Sequence, residues 1–312
     1  MRSHQHKLAT LACLFMLPVA ANAQSTISPT IDGVFSISKS SLEAFSDETE
    51  MEGFFLSSDL TFSDHISLGL DVDRKAWDPD YTPIDVSLDR LQLEPTYTFA
   101  NGFYVGAFVQ DASLDVIFSI DFDSRGLFAG FTSGKWDAEV YAGETEMSSS
   151  PFGDDQSEST MHGVSTSYDI SDQLEISAHI SQANLPDDTV GGQHNLHALA
   201  ATYKLNNGYT AYGAYERFKS EMYGAEELDA YALGVGYNFA ERGTKVPGVV
   251  TIEVGRRDIY GSSEDWTTLA WVVPLGKGEV EPLDSIVRSA KGDVRTPYLQ
   301  FVANSSPVAL LD

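Results

Sequence analysis

The chain has 312 residues, with 46 Asp and Glu against 19 Lys and Arg, a formal net charge of −27. Acidity on that scale opposes binding to nucleic acid or to anionic membrane surfaces and suits a solvated exterior or a cation-attracting cavity. The single cysteine, Cys13, lies in the N-terminal apolar run, so the body of the protein has neither disulfide nor thiol chemistry.

Arg2 and Lys7 open the chain, followed by an apolar run from Leu8 to Ala20 and the ending Ala21-Asn22-Ala23. These are the parts of a secretory signal peptide over residues 1–23, and the run is shorter than the ~20 residues a spanning helix needs. Loss of Arg2 and Lys7 takes the net charge to −29. No later stretch is apolar enough for a transmembrane helix.

From residue 30 to 275 the pattern is alternation. In "HISLGLDVDRKAW", Ile66, Leu68, Leu70 and Val72 share one face, and Ser67, Gly69, Asp71 and Asp73 the other. "DVIFSIDFDS" reads as one strand with Val116, Phe118, Ile120 and Phe122 opposite Asp115, Asp121 and Asp123. "WDAEVYAGE" sets Trp136, Ala138 and Val140 against Asp137 and Glu139, and "EISAHISQ" sets Ile176, Ala178 and Ile180 against Ser177, His179 and Ser181. In "ELDAYALGVGYNFA", Tyr231, Leu233, Val235 and Tyr237 oppose Ala230, Ala232, Gly234 and Gly236. Period 2 over eight to ten residues predicts strands.

Asn101-Gly102, Ser124-Arg125-Gly126, Ser133-Gly134-Lys135, Ile170-Ser171-Asp172 and Asn206-Asn207-Gly208 carry tight-turn chemistry. Longer acidic insertions at 39–52, 78–85, 148–160, 184–195 and 217–228 read as loops. Short turns alternating with long loops describe an up-and-down antiparallel meander. Twelve to sixteen strands are expected in one domain, residues 24–276. The segment 277–312 departs from the pattern: "EPLDSIVRSA" suits a turn or two of helix, and Pro297–Ala303 is a further strand candidate.

Candidate chemistry is sparse. His194 and His197 in "QHNLH" have a metal-like spacing but no third ligand defined by sequence. His179 lies between Ser177 and Ser181, yet no G-x-S-x-G stretch accompanies it. The acidic stretches "GDDQSE" and "DPDYTPID" do not match the ordered twelve-residue calcium loop. No catalytic, cofactor or metal site is assigned, and no enzyme activity is expected.

The export signal, the cysteine-free body, the dyad strands and the unequal turn lengths resemble Gram-negative outer-membrane β-barrels of the porin-like kind. The resemblance is one of architecture over about residues 26–275. It implies an all-β fold, a closed antiparallel transmembrane barrel in the cell outer membrane, with apolar residues toward lipid and polar ones toward a lumen. It also implies interfacial aromatic girdles, here Tyr97, Phe99, Tyr203, Tyr209, Tyr237, Phe239, Trp266 and Trp271, and a homo-oligomer, since trimers are common in the family. On that facing the pore-lining candidates are Asp71, Asp73, Asp115, Asp121, Asp123, Asp137, Glu139 and His179, joined by Arg90 and Glu94. Rings of carboxylates in an aqueous pore concentrate cations. The function so implied is passive diffusion of small hydrophilic solutes with weak cation selectivity. The alternative is a plugged structural or adhesion barrel whose acidic loops bind partners or divalent ions. One departure is the ending "SSPVALLD", which lacks the usual terminal aromatic and leaves the closing strand to end at Leu275 or at Phe301.

Overall fold

The computed structural model describes residues 29–44, 47–79, 86–117, 119–150, 157–185, 192–220, 226–242, 247–259, 262–276, 285–292, 295–297 and 299. The predicted signal peptide lies outside them.

Among the described residues fourteen strands follow one another: β1 (Thr30–Ala44), β2 (Asp47–Ser63), β3 (Ile66–Pro79), β4 (Val86–Thr98), β5 (Phe103–Asp115), β6 (Ser119–Ser133) and β7 (Trp136–Ser150). Then come β8 (Ser157–Asp169), β9 (Leu174–Leu185), β10 (Gly192–Lys204), β11 (Tyr209–Ser220), β12 (Glu226–Asn238), β13 (Val249–Ile259) and β14 (Ser262–Leu275). Each pairs antiparallel with its sequence neighbours, and β14 closes on β1 from Gly33↔Leu275 to Ala44↔Glu264. The closing strand thus ends at Leu275. Closure pairs every strand edge, the condition for a sheet to cross a bilayer.

One end of the barrel, the turn side, carries Asp64-His65, residues 99–102, 134–135, 170–173, 205–208 and the link from β12 to β13. Gly102 (φ 86°), Gly134 (φ 59°) and Asn207 (φ 68°) supply the positive φ that such tight reversals require. The other end is the loop side. Three sequence expectations are corrected here. Ser124-Arg125-Gly126 is strand interior in β6, not a turn. The stretch 114–123 is not one strand but a hairpin from β5 into β6, missed because its turn region, Val116-Ile117, is apolar. The insertions at 39–52 and 217–228 are largely strand, so strands run 11 to 17 residues rather than about ten.

The extra length has a physical cause. On the turn-side half the outward residues form an apolar belt, with Leu127, Leu233, Leu199 and Val140 all more than half exposed. Tyr97, Phe99, Phe103, Trp136, Tyr203, Tyr209 and Trp271 rim it as an aromatic girdle. The Trp136 and Tyr168 rings lie 4.6 Å apart and those of Tyr209 and Tyr237 4.8 Å apart. Toward the loop side the outer face turns ionic, with Lys39–Glu50 at 2.8 Å, Arg74–Asp89 at 3.6 Å, Arg217–Asp229 at 2.6 Å and the pair Lys219–Glu227. Solvent-accessible pairs of this kind contribute little to stability, so they mark where the apolar surroundings end rather than hold the barrel together. The strands therefore continue past the membrane into water.

The interior holds part of the C-terminal segment. A short helix, α1 (Ser285–Lys291), lies inside the barrel against β9, β10 and β11. Its Val287 and Ala290 pack on Ala198 and Ala200 of β10 and on Tyr212 of β11. Small inward residues on β10 and β12 make room for that seat, and Ala230 and Ala232 are fully buried. Gly234 is roofed by the Tyr212 ring, as Gly106 is by Phe128, Gly163 by Tyr141 and Gly255 by Trp266. A Cβ at any of these would collide with the ring, the reason that only glycine serves there.

Candidate functional site

The lumen has two zones. On the loop side the inward side chains form an apolar seal in which Trp77, Leu114, Phe122, Phe218 and Trp266 surround Ile286 and Leu299 of the C-terminal segment. On the turn side is a polar cavity of about 250 Å³, lined by Asp59, Asp71, Glu94, Asp137 and Glu139 and by Lys291 and Arg295.

Between the zones, cations of the C-terminal segment meet carboxylates of the wall. Arg295, only 5 % exposed at its side chain, donates from Nε to Glu94 Oε1 at 2.8 Å and from its terminal nitrogen to Glu139. Its guanidinium carbon sits 4.4 Å from the Phe128 ring centre, 5.2 Å from that of Phe108 and 5.4 Å from that of Tyr141. Burial opposes the Arg295 charge, but the two carboxylates more than offset it and hold its pKa above the ordinary arginine value. Arg288 lies 3.4 Å from Asp73 and stacks 3.5 Å from the Phe55 ring centre. Asp73 also has Arg90 at 3.6 Å. Lys291 Nζ is 2.9 Å from Glu175. Backbone contacts complete the docking: His179 Nδ1 donates to the Ser289 carbonyl at 2.9 Å, and the Tyr141 hydroxyl donates to the Arg295 carbonyl at 2.9 Å. Gln110 Nε2 donates to Thr296 Oγ1 at 3.1 Å. The segment is held by three cationic anchors and several neutral hydrogen bonds, with an apolar tip at the seal.

Of the residues singled out from the sequence, Asp71, Asp73, Asp137, Glu139 and His179 stand on the inner face. Arg90 and Glu94 are inward as well. Asp115, Asp121 and Asp123 stand on the outer face: they alternate with Leu114, Phe122 and Ser124, which are buried inside. The premise that apolar means lipid-facing inverts at that height, where the inside is the apolar seal and the outside is water. The stretch is therefore corrected from lumen to exterior. Trp266 is likewise corrected from girdle to lumen; it is 8 % exposed and its indole N–H donates to Glu253 at 2.8 Å. The proposed last strand at Pro297–Ala303 is corrected where it is described: Pro297 and Leu299 are helical and buried in the lumen. His194 is inward, stacked 5.6 Å from Phe218, while His197 points outward from the other face of β10, so the two do not converge. Among the described residues no cluster of metal-ligand side chains occurs. Residues 80–85, 151–156 and 186–191, within three of the acidic insertions read as loops from the sequence, lie outside the described residues.

The anchors Arg288, Lys291 and Arg295 escaped the sequence reading. The available signal was compositional: three basic residues within eight positions of a chain that is acidic nearly everywhere else.

A closed, all-antiparallel barrel with an apolar outer belt and an aromatic girdle is a transmembrane β-barrel of the outer-membrane type. Solved structures agree on that fold. OmpT of Vibrio cholerae, an outer membrane protein solved in a trimer form, is 14% identical with a TM-score of 0.52, covering 80% of this chain and 100% of its own. An anion-selective porin from Comamonas acidovorans is 10% identical with a TM-score of 0.53, covering 80% and 99%. The CymD monoaromatic hydrocarbon channel is 10% identical with a TM-score of 0.50, covering 81% and 90%. No protein-family model and no curated protein sequence matches the chain.

Proposed function

We propose that the protein is an outer-membrane channel for small hydrophilic solutes, closed by its own C-terminal segment and weakly cation-selective when that segment withdraws. One observation carries the reading: carboxylates of the barrel wall are neutralised by a segment that is not part of the wall. Asp73, Glu94, Glu139 and Glu175 face Arg288, Lys291 and Arg295. Withdrawal of the segment removes three positive charges from the lumen and leaves the acidic side chains facing water. Fixed negative charge in a narrow pore raises the local cation concentration and repels anions. A hydrocarbon channel and a porin among the fold relatives fit this reading, although the porin is anion-selective.

Planar-bilayer recording of the refolded full chain tests it. Wild-type protein is expected to dwell closed with rare openings. The variant R288Q/K291Q/R295Q is expected to be open far more of the time, with a reversal potential displaced toward the cation in a KCl gradient. Absence of conductance in both, with heat-modifiable gel migration showing folded barrels, refutes the channel. That outcome supports the second reading, a permanently closed structural or adhesion barrel, which the apolar seal around Ile286 and Leu299 favours.

A further inference from the structure

The two-carboxylate, three-ring box around Arg295 is built for a planar cation. Glu94 comes from β4 and Glu139 from β7, so the carboxylates converge from strands three apart onto one guanidinium. Phe108, Phe128 and Tyr141 present their rings to it from β5, β6 and β7. Carboxylates supply in-plane acceptors and the rings supply negative faces, the complement of a guanidinium on both counts. The polar cavity of about 250 Å³ borders the box on its turn side and shares Glu94, Glu139 and Arg295 with it. Arg288 occupies no equivalent site, because Asp73 there already has Arg90 at 3.6 Å.

We infer that this box is a binding site for guanidinium-bearing solutes, occupied in the closed state by the chain's own Arg295, and that such a solute releases the C-terminal segment by taking its place. The inference deepens the channel reading above and rests on it for the consequence of release. An empty box leaves two partly buried carboxylates without their guanidinium, which disfavours simple withdrawal of the segment. A cation that replaces Arg295 removes that cost, so its binding and the segment's departure are coupled. The solute shifts the equilibrium because it binds only the state from which Arg295 has left. An ammonium ion satisfies the charge but neither the planar fork nor the ring stacking, so it ranks below a guanidinium.

Argininamide and its neutral isostere citrullinamide separate the ligand's charge from its shape. In wild-type protein in detergent micelles, argininamide is expected to speed amide hydrogen exchange of Ser285–Lys291, and citrullinamide to leave it unchanged. In a direct titration, R295M is expected to bind argininamide at least about tenfold more tightly than wild type, since the competing side chain is gone. E94Q/E139Q is expected to lose that binding. Equal effects of the two amides, or equal affinity of wild type and R295M, overturns the proposal. The channel reading fails separately. If R288Q/K291Q/R295Q conducts while argininamide leaves exchange unchanged, the channel stands and the site falls. If argininamide accelerates exchange in a barrel that never conducts, the site stands and the channel falls. Heat-modifiable migration confirms that each variant is folded, and the wild-type exchange comparison needs no variant.

Discussion

Replacing Arg295 by methionine separates the docking of the C-terminal segment from the stability of the barrel. Methionine keeps much of the side-chain volume against Phe108 and Phe128 but leaves Glu94 and Glu139 without their common guanidinium. Removing one partner of a buried ion pair costs about 3–5 kcal/mol, and Glu94 is 23 % exposed, which puts the cost near the lower end. A loss of about 3 kcal/mol is roughly a hundredfold in the docking equilibrium, at about 1.4 kcal/mol per factor of ten. The expected result is exchange of the α1 amides roughly a hundredfold faster, because local opening governs their protection. The amides of the fourteen strands keep theirs. Arg288→Met is expected to cost less, about 1–2 kcal/mol, because Asp73 retains Arg90 and what is lost is chiefly the stacking on Phe55. The triple variant E94Q/E139Q/R295M is expected to recover much of the protection, since it leaves no buried charge unpaired. Equal effects of R295M and R288M, or no recovery in the triple variant, would refute this account of how the segment is held.

The four tryptophans divide by face: Trp136 and Trp271 lie outward in the belt, and Trp77 and Trp266 lie inside. Lipids brominated on their acyl chains are expected to quench the first pair and spare the second when single-tryptophan variants are compared. Leu127, 69 % exposed on β6, faces the belt. Leu127→Arg is therefore expected to destabilise the refolded barrel by about 2–4 kcal/mol in a urea titration in lipid. The same titration for Gly234→Val is expected to lose about 1–3 kcal/mol, because the Tyr212 ring occupies the space of the new side chain. An unchanged midpoint would mean that Tyr212 does not roof that glycine.

Alternation with period 2, read residue by residue, places Tyr231, Leu233 and Val235 outward and Ala230 and Ala232 inward, and the structure has them so. The same rule misplaces Asp115, Asp121 and Asp123, because it contains no information about height along the barrel axis. Within the belt the dry side is outside; above it, around Phe122 and Leu114, the dry side is inside. A strand carries one pattern through both environments, and only the position of its neighbours tells which applies. The glycines of β12 show the same limit. The sequence shows only that they share a small face with Ala230 and Ala232, whereas in the structure the Tyr212 ring covers Gly234, and Ile286, from a helix more than fifty residues beyond Ala232, joins the apolar cluster of Ala230 and Ala232.

Local chemistry alone determined the strand-by-strand alternation, most of the tight turns, the cysteine-free acidic body and the all-β class, because each depends on residues within ten positions of one another. Closure between β1 and β14, the helix seated in the lumen and the Glu94–Arg295–Glu139 box depend on residues far apart in the chain. Arg295 is about two hundred positions from Glu94. A periodicity names the face of a strand but not what stands opposite it across the barrel. That partner is set by strand number, register and the path of the C-terminal segment, and only the closed tertiary structure specifies all three.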